Sequence, residues 1–426
     1  VTLTARGWRL LYTLLFYLAL PFLLLRLAFL GFRHRGYWRR LPERFGFARR
    51  SPSGARTIWI HAVSVGEFLA ALPLITALRS RYFNPRILIT TVTPTGADMV
   101  RQKLGDAADH AYLPFDVPDA VDRFLTRVRP VLCLLMETEL WPNLLAACGG
   151  QRVPVVLVNA RLSEKSARGY ARLASLTRAM LSAVTVIAAQ TEGDAARLRA
   201  QGAGRIVVTG NLKYDQPLDS EAIKLGREWR EKNAAARPVW IAASTHAGEE
   251  EIILAAHERI RARYPDCLLI LVPRHPDRGA AVTVLAERRG FRARRHGRSA
   301  AAAVWDVYVV DVLGRLIMFY AASDIAFVGG SLMRVGGHNL LEPAALGLPV
   351  LCGPHAFNFS GARHLLEEAG GLQVVADAGE LARAVTGLFG DSSARQSRGR
   401  AASEVVAANR GATDRIMRII CGMNAI

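Results

Sequence analysis

Cysteine is scarce in this 426-residue chain. Its five cysteines, Cys133, Cys148, Cys267, Cys352 and Cys421, are scattered, with no CxxC pair and no Cys/His cluster at metal-ligand spacing. That excludes a disulfide framework and a zinc ribbon, fits a reducing cytosol, and leads us to expect no metal site. Acidic residues are also in short supply. There are 36 Asp and Glu against 55 Lys and Arg, a net charge of +19. Disorder is excluded, because 51% of residues are hydrophobic and only 21% are charged. The length calls for two large domains or three small ones, at roughly 100–200 residues per domain. The positive charge is uneven: residues 1–50 hold ten arginines and one glutamate. A nucleic-acid binder would rather carry its charge on the folded domain, often with stacking aromatics, so no nucleic-acid partner is expected. Here the charge sits beside a greasy segment, which points to an anionic membrane surface.

That segment is residues 10–32, LLYTLLFYLALPFLLLRLAFLGF. At about 1.5 Å per residue it is long enough to cross the ~30 Å core of a bilayer. Arg26 could snorkel and Pro21 could kink it. Both a single span and a kinked helix lying in one leaflet remain open. Residues 33–50 follow with seven arginines against Glu43. By the positive-inside rule the rest of the chain is cytoplasmic. A cleaved signal peptide is the competing account, but the run is too long and no small-residue cleavage site follows.

Beyond Ser51, apolar runs alternate with amphipathic stretches, as buried parallel strands alternate with helices. The first series is 57–62, 86–91, 131–136, 153–158, 184–189 and 205–209. After a break near Gln216–Pro217 come 239–243, 267–272, 307–310, 325–328, 350–351 and 372–375. Helices are expected at 68–79, 249–263 and 381–388. Two such series predict two doubly wound, Rossmann-like α/β domains facing a cleft, with ligands beyond the carboxyl ends of strands. The expected division is a membrane anchor over 1–50, domains over 51–216 and 217–400, and one further helix over 401–426.

Several strand ends carry chemistry. In HAVSVGE, Gly66 gives a turn and Glu67 opens a helix. A carboxylate there suits the helix dipole; it could equally take a proton from an attacking hydroxyl, although the helix end would lower its pKa. In METELWPN, Glu137 and Glu139 lie two apart and share a face if the chain is extended. NARLSEKSARGY places Arg161, Lys165 and Arg168 beyond another strand, either solvated or meeting an anionic acceptor. In GNLKYD, Lys213 could stabilise a leaving phosphate. In the second half, Ser244 and Thr245 can cap the helix beginning at Glu249–Glu251, leaving free N–H groups for an anion. Arg274 and His275 end the next strand. Gly329–Gly330 and Gly336–Gly337–His338 precede a helix near Asn339. Glycines there would let the backbone approach a phosphate, and Glu342 could accept from ribose hydroxyls. Neither GxGxxG nor GxxxxGK[ST] occurs in this stretch, which argues against nicotinamide cofactors and P-loop triphosphates.

HAVSVGE, METELWPN, NARLSEKS, GNLKYD, ASTHAGEE, VPRHP and GGHNLLEP occur in that order. Together with the anchor and YWRRLPERFG, they resemble the 3-deoxy-D-manno-octulosonic acid (Kdo) transferases of lipid A biosynthesis in Gram-negative bacteria. The resemblance implies a GT-B glycosyltransferase fold at the inner membrane. It implies metal-independent, cofactor-free transfer of Kdo from CMP-Kdo to a lipid A precursor. Glu67 then matches the proton acceptor, and Glu137 and Lys213 match groups that stabilise the transition state. Pro273, Arg274 and the run Asn339, Leu340, Leu341 and Glu342 match CMP contacts. A third contact falls on Leu313, Gly314 and Arg315, where the family's DTxGEL reads DVLGRL and Arg315 replaces the Glu. The competing reading is another GT-B nucleotide-sugar transferase or an epimerase.

Overall fold

A computed structural model describes residues 4–33, 35–83, 85–297 and 304–423. The ends of the expected anchor and of the expected last helix, 1–3 and 424–426, lie outside the described residues. The chain divides into two compact units, Val1–Gln216 with Arg410–Ile426, and Pro217–Asn409. Each is a Rossmann-like α/β unit, the pairing that defines the GT-B class.

The first unit is built on β1 (Thr57–His61), β2 (Arg86–Thr91), β3 (Asp109–Tyr112), β4 (Pro130–Met136), β5 (Val155–Ala160), β6 (Val186–Ala189) and β7 (Ile206–Val208). They form one parallel sheet in the order β3-β2-β1-β4-β5-β6-β7. The second contains β8 (Val239–Thr245), β9 (Leu268–Pro273), β10 (Ala293–Arg295), β11 (Val307–Val309), β12 (Ile325–Val328), β13 (Val350–Cys352) and β14 (Leu372–Val374). Their order is β10-β11-β9-β8-β12-β13-β14, again parallel. The chain order reverses between β1 and β4 in one sheet and between β8 and β12 in the other. Those are the switch points where doubly wound sheets bind ligands.

Central strands read as apolar runs because both faces are covered. In β1, Trp59 packs with Phe124 and Leu125 on one face, while Ile58 and Ile60 meet Phe68, Leu74 and Leu78 on the other. Each such burial contributes roughly 1.5–3 kcal/mol. Two strands were not expected from the sequence, β3 and β10. Both are edge strands, with the polar sequences Asp-His-Ala-Tyr and Ala-Arg-Arg.

The expectation of one helix over 401–426 is corrected. A helix Ser392–Ala408 ends, and a second, Ala412–Cys421, begins after Gly411 at φ 95°. Asp215 fixes that restart by accepting the N–H groups of Gly411 (2.7 Å) and Thr413 (2.5 Å). Ile416, Ile419 and Ile420 then join the core of the first unit beside Ile75 and Leu78.

The apolar amino-terminal helix, Ala5–Arg33, is docked along only part of its length. Trp8 packs on the first unit's core, Thr13 donates to Asn143 (3.1 Å) and Tyr17 to Asp119 (2.6 Å). Farther along, Leu18 (62%), Phe22 (72%), Leu25 (68%), Phe29 (64%) and Phe32 (77%) stand exposed. Trp38 folds back, its indole N–H donating to the Ala28 carbonyl at 2.9 Å.

Candidate active site

Glu67 follows β1 and Glu137 follows β4, so the first sheet brings them to its switch point. Ser64 caps the helix Val65–Arg81 by accepting the Glu67 N–H at 3.2 Å. The Glu67 carboxylate in turn accepts from the Ser64 hydroxyl (3.0 Å) and the Val63 N–H (2.8 Å). The helix-end account of Glu67 is therefore real, a variant of the capping box. It does not make the group a strong acid. Burial raises the Glu67 pKa, the Val63 N–H opposes the rise, and the charges of Glu137 and Glu139 reinforce it.

Glu137 does not share an extended face with Glu139, contrary to the sequence expectation. It sits at φ 56°, so the chain turns sharply there and separates the two carboxylates. Glu137 faces Lys213 (3.9 Å), which stands in the turn Leu212–Asp215. Glu139 accepts from the Trp141 indole (2.8 Å) and lies 3.8 Å from Nε2 of fully buried His61. Asn159, at φ 57° on β5, ties this edge to the Lys213 turn: its side-chain oxygen accepts the Leu212 N–H at 3.0 Å. His61 Nε2 and Asn159 Nδ2 are buried without a hydrogen-bond partner. Sequence reasoning passed over both residues; their only signal was a polar side chain closing an apolar strand. Arg161 and Arg168 are exposed beyond β5, and the Arg161 carbonyl accepts from the Thr138 hydroxyl.

In the second unit the expected phosphate turn is already filled. The Glu249 carboxylate, wholly buried, accepts the N–H groups of Gly330 (2.7 Å), Ser331 (2.9 Å) and Leu332 (2.8 Å), plus that of His246 (2.9 Å). The amides after β12 thus serve an internal anion, which corrects the reading of Gly329–Gly330 as a nucleotide cradle. Ser244 and Thr245 do not cap the helix Glu249–Arg263 either. Gly248 is its N-cap, at φ 90°, and the Thr245 hydroxyl donates to Glu250 (2.9 Å).

The remaining candidates lie at the same carboxyl edge, some exposed and some buried. Pro273 closes β9 and Arg274 follows it, exposed. Leu313 is exposed and Gly314, at φ 78°, has open space around it; Arg315 then leads into the helix Leu316–Ala321. Asn339 donates to Glu342 (3.0 Å) and accepts the Leu341 N–H (3.1 Å). Burial raises the Glu342 pKa against the opposing Asn339 bond. Leu340 and Leu341 are buried. The helix expected near Asn339 is the short Leu341–Ala345.

A 3-deoxy-D-manno-octulosonic acid transferase from Haemophilus influenzae is 41% identical over 97% of this chain and 98% of its own length. The chain belongs to the Kdo transferase family. It is a glycosyltransferase. The same enzyme name attaches to a Bordetella pertussis relative, 39% identical over 90% of this chain and 92% of its own length. The profile of the 3-deoxy-D-manno-octulosonic-acid transferase family matches residues 39–216, the part that carries Glu67, Glu137 and Lys213. The crystal structure of UDP-GlcNAc 2-epimerase from Neisseria meningitidis is similar with a TM-score of 0.59, over 86% of this chain and 100% of that one. At 16% identity this likeness concerns the fold alone.

Proposed function

We propose that this Kdo transferase family member moves Kdo from CMP-Kdo to a hydroxyl of a lipid A precursor at the bacterial inner membrane, in lipopolysaccharide synthesis. The observation that carries the reading is the half-buried Glu67, its pKa held up by burial and by Glu137 and Glu139, at a sheet switch point. Glu67 takes the proton of the attacking hydroxyl. A base tuned upward toward the working pH is a better proton acceptor than an ordinary carboxylate. Glu137 and Lys213 form an ion pair that fixes both charges beside the reacting groups. Arg161 and Arg168 are free to meet phosphates of the acceptor. Arg274, the Pro273 backbone, the loop at Leu313, Gly314 and Arg315, and the run 339–342 hold the nucleotide. The transfer is expected to need neither a metal ion nor a cofactor.

The amino-terminal helix supports an apolar membrane foot: Leu10, Leu14 and Leu15 stand exposed as well as Leu18, Phe22, Leu25, Phe29 and Phe32, while Trp8, Thr13 and Tyr17 tie the same helix to the folded unit. The arginines that follow it suit the cytoplasmic, anionic face. An epimerase acting on soluble nucleotide sugars has no use for such a foot.

Mass analysis of products after incubation with CMP-Kdo and a lipid A precursor tests the proposal. The expected product is heavier than the acceptor by one or more Kdo residues; an unchanged acceptor with this donor would refute it. The role of Glu137 has its own test. Because the Glu137 charge raises the Glu67 pKa, Glu137→Gln is expected to shift the acid limb of the pH–rate profile toward lower pH. A limb that stays in place, or moves up, removes Glu137 from the tuning of the base.

A further inference from the structure

His246 follows β8 and His338 lies in the loop after β12, the two strands that flank the switch point of the second sheet. Their Nε2 atoms are 2.8 Å apart and their rings are 2° from parallel. At that distance one nitrogen must donate and the other accept, so the neutral pair holds opposite tautomers and shares one hydrogen. A second proton converts the contact into a charge-assisted bond between imidazolium and imidazole, which is stronger.

The arrangement is built into the fold. Gly330, at φ 68°, leaves room for it: a Cβ there would stand 2.8 Å from the His338 ring and 3.5 Å from that of His246. Both rings are only partly buried, so the pair has an open side. Glu249, Glu250, His275 and Arg274 face His246; Arg274 and His275 face His338. Burial lowers the His246 pKa against the opposing Glu249 and Glu250 carboxylates, and burial together with the Arg274 charge brings His338 down to about 4. Arg274 follows β9, the neighbour of β8 in the sheet, and provides a fixed positive charge at the same edge.

We propose that His246 and His338 form a proton-accepting clamp for the phosphate of the nucleotide donor, taking up one proton as the phosphate docks beside Arg274. The inference rests on the donor-site reading given above. During transfer the acceptor oxygen bonds to the anomeric carbon of the sugar, and the bond from that carbon to the phosphate oxygen breaks. Its electron pair stays on that oxygen, and the acceptor's proton goes to Glu67. The phosphate passes from one negative charge to two, and the imidazolium is already beside it. The clamp thus binds the departing phosphate more strongly than the phosphate it first received, which is what a rate-enhancing contact must do.

The test uses the full chain and the methyl ester of CMP, a phosphodiester that keeps one negative charge across the range studied. Calorimetric titration at pH 6–7 in two buffers of different ionisation enthalpy counts the protons bound. Roughly half to one proton taken up per nucleotide is expected, with affinity falling as pH rises. His338→Gln and His246→Gln are each expected to abolish the uptake and weaken binding about tenfold, while His275→Gln, outside the shared bond, retains it. Binding to the parent chain without proton uptake overturns the clamp while leaving the donor site standing. Absence of any binding to the parent overturns both. Uptake that persists in His338→Gln overturns the pairing, and the parent's proton count decides the matter even if a variant fails to fold.

Discussion

Glu67→Gln is expected to lower the rate of Kdo transfer by about 10³-fold or more, with CMP-Kdo still bound. The amide keeps the size of the side chain and one oxygen for the Val63 N–H or the Ser64 hydroxyl. It removes the charge that burial makes reactive. Because Glu67 lies in the first unit and the proposed nucleotide contacts in the second, donor affinity is expected to change less than threefold, near the scale of an uncoupled substitution. The measurement is kcat for transfer together with the dissociation constant of CMP. Undiminished kcat removes Glu67 from the role of base. Lost nucleotide affinity would instead show that the substitution disturbs the fold beyond its own helix start.

The second large effect concerns stability. Glu249→Gln is expected to cost the second unit about 3 kcal/mol, because hydrogen bonds to a charged group are worth roughly 1.5–3 kcal/mol each and buried donors left unpaired are expensive. Each carboxylate oxygen of Glu249 receives two backbone N–H groups. An amide replaces one of those oxygens by a donor, and two N–H groups then face another N–H. For a unit of this size the loss corresponds to a melting temperature lower by roughly 6–12 °C. Thermal unfolding followed by circular dichroism checks it, with hydrogen exchange at Gly330, Ser331 and Leu332 as the local readout. An unchanged midpoint with full protection of those amides would show that the carboxylate is not what holds the turn.

The sequence revealed the strands that are buried on both faces, because burial forces a continuous apolar run. It hid β3 and β10, since an edge strand can be as polar as Asp-His-Ala-Tyr or Ala-Arg-Arg. The same division holds at the site. Glu67, Glu137 and Lys213 could be picked out as charged residues at strand ends, and parallel topology alone places them along one edge. Their pairings could not be read, because they depend on single backbone angles: Glu137 turns toward Lys213 only because it adopts φ 56°. The Gly329–Gly330 turn misled for a related reason. A run of amides that accommodates a phosphate is equally suited to a carboxylate from the same chain, and Glu249 lies 81 residues away from Gly330. The His246–His338 contact spans 92 residues, and no local pattern signals it.

The helix Ala412–Cys421 also has a bearing on how the chain comes into being. It packs on Ile75 and Leu78, yet more than 300 residues separate the two partners in synthesis order. The first unit therefore leaves the ribosome with part of its apolar surface bare and stays so while the whole second unit is made. Domains otherwise tend to fold as they emerge, amino-terminal first. Here the earlier unit waits for the later one, and its last side is closed only once residues 412–421 have been translated.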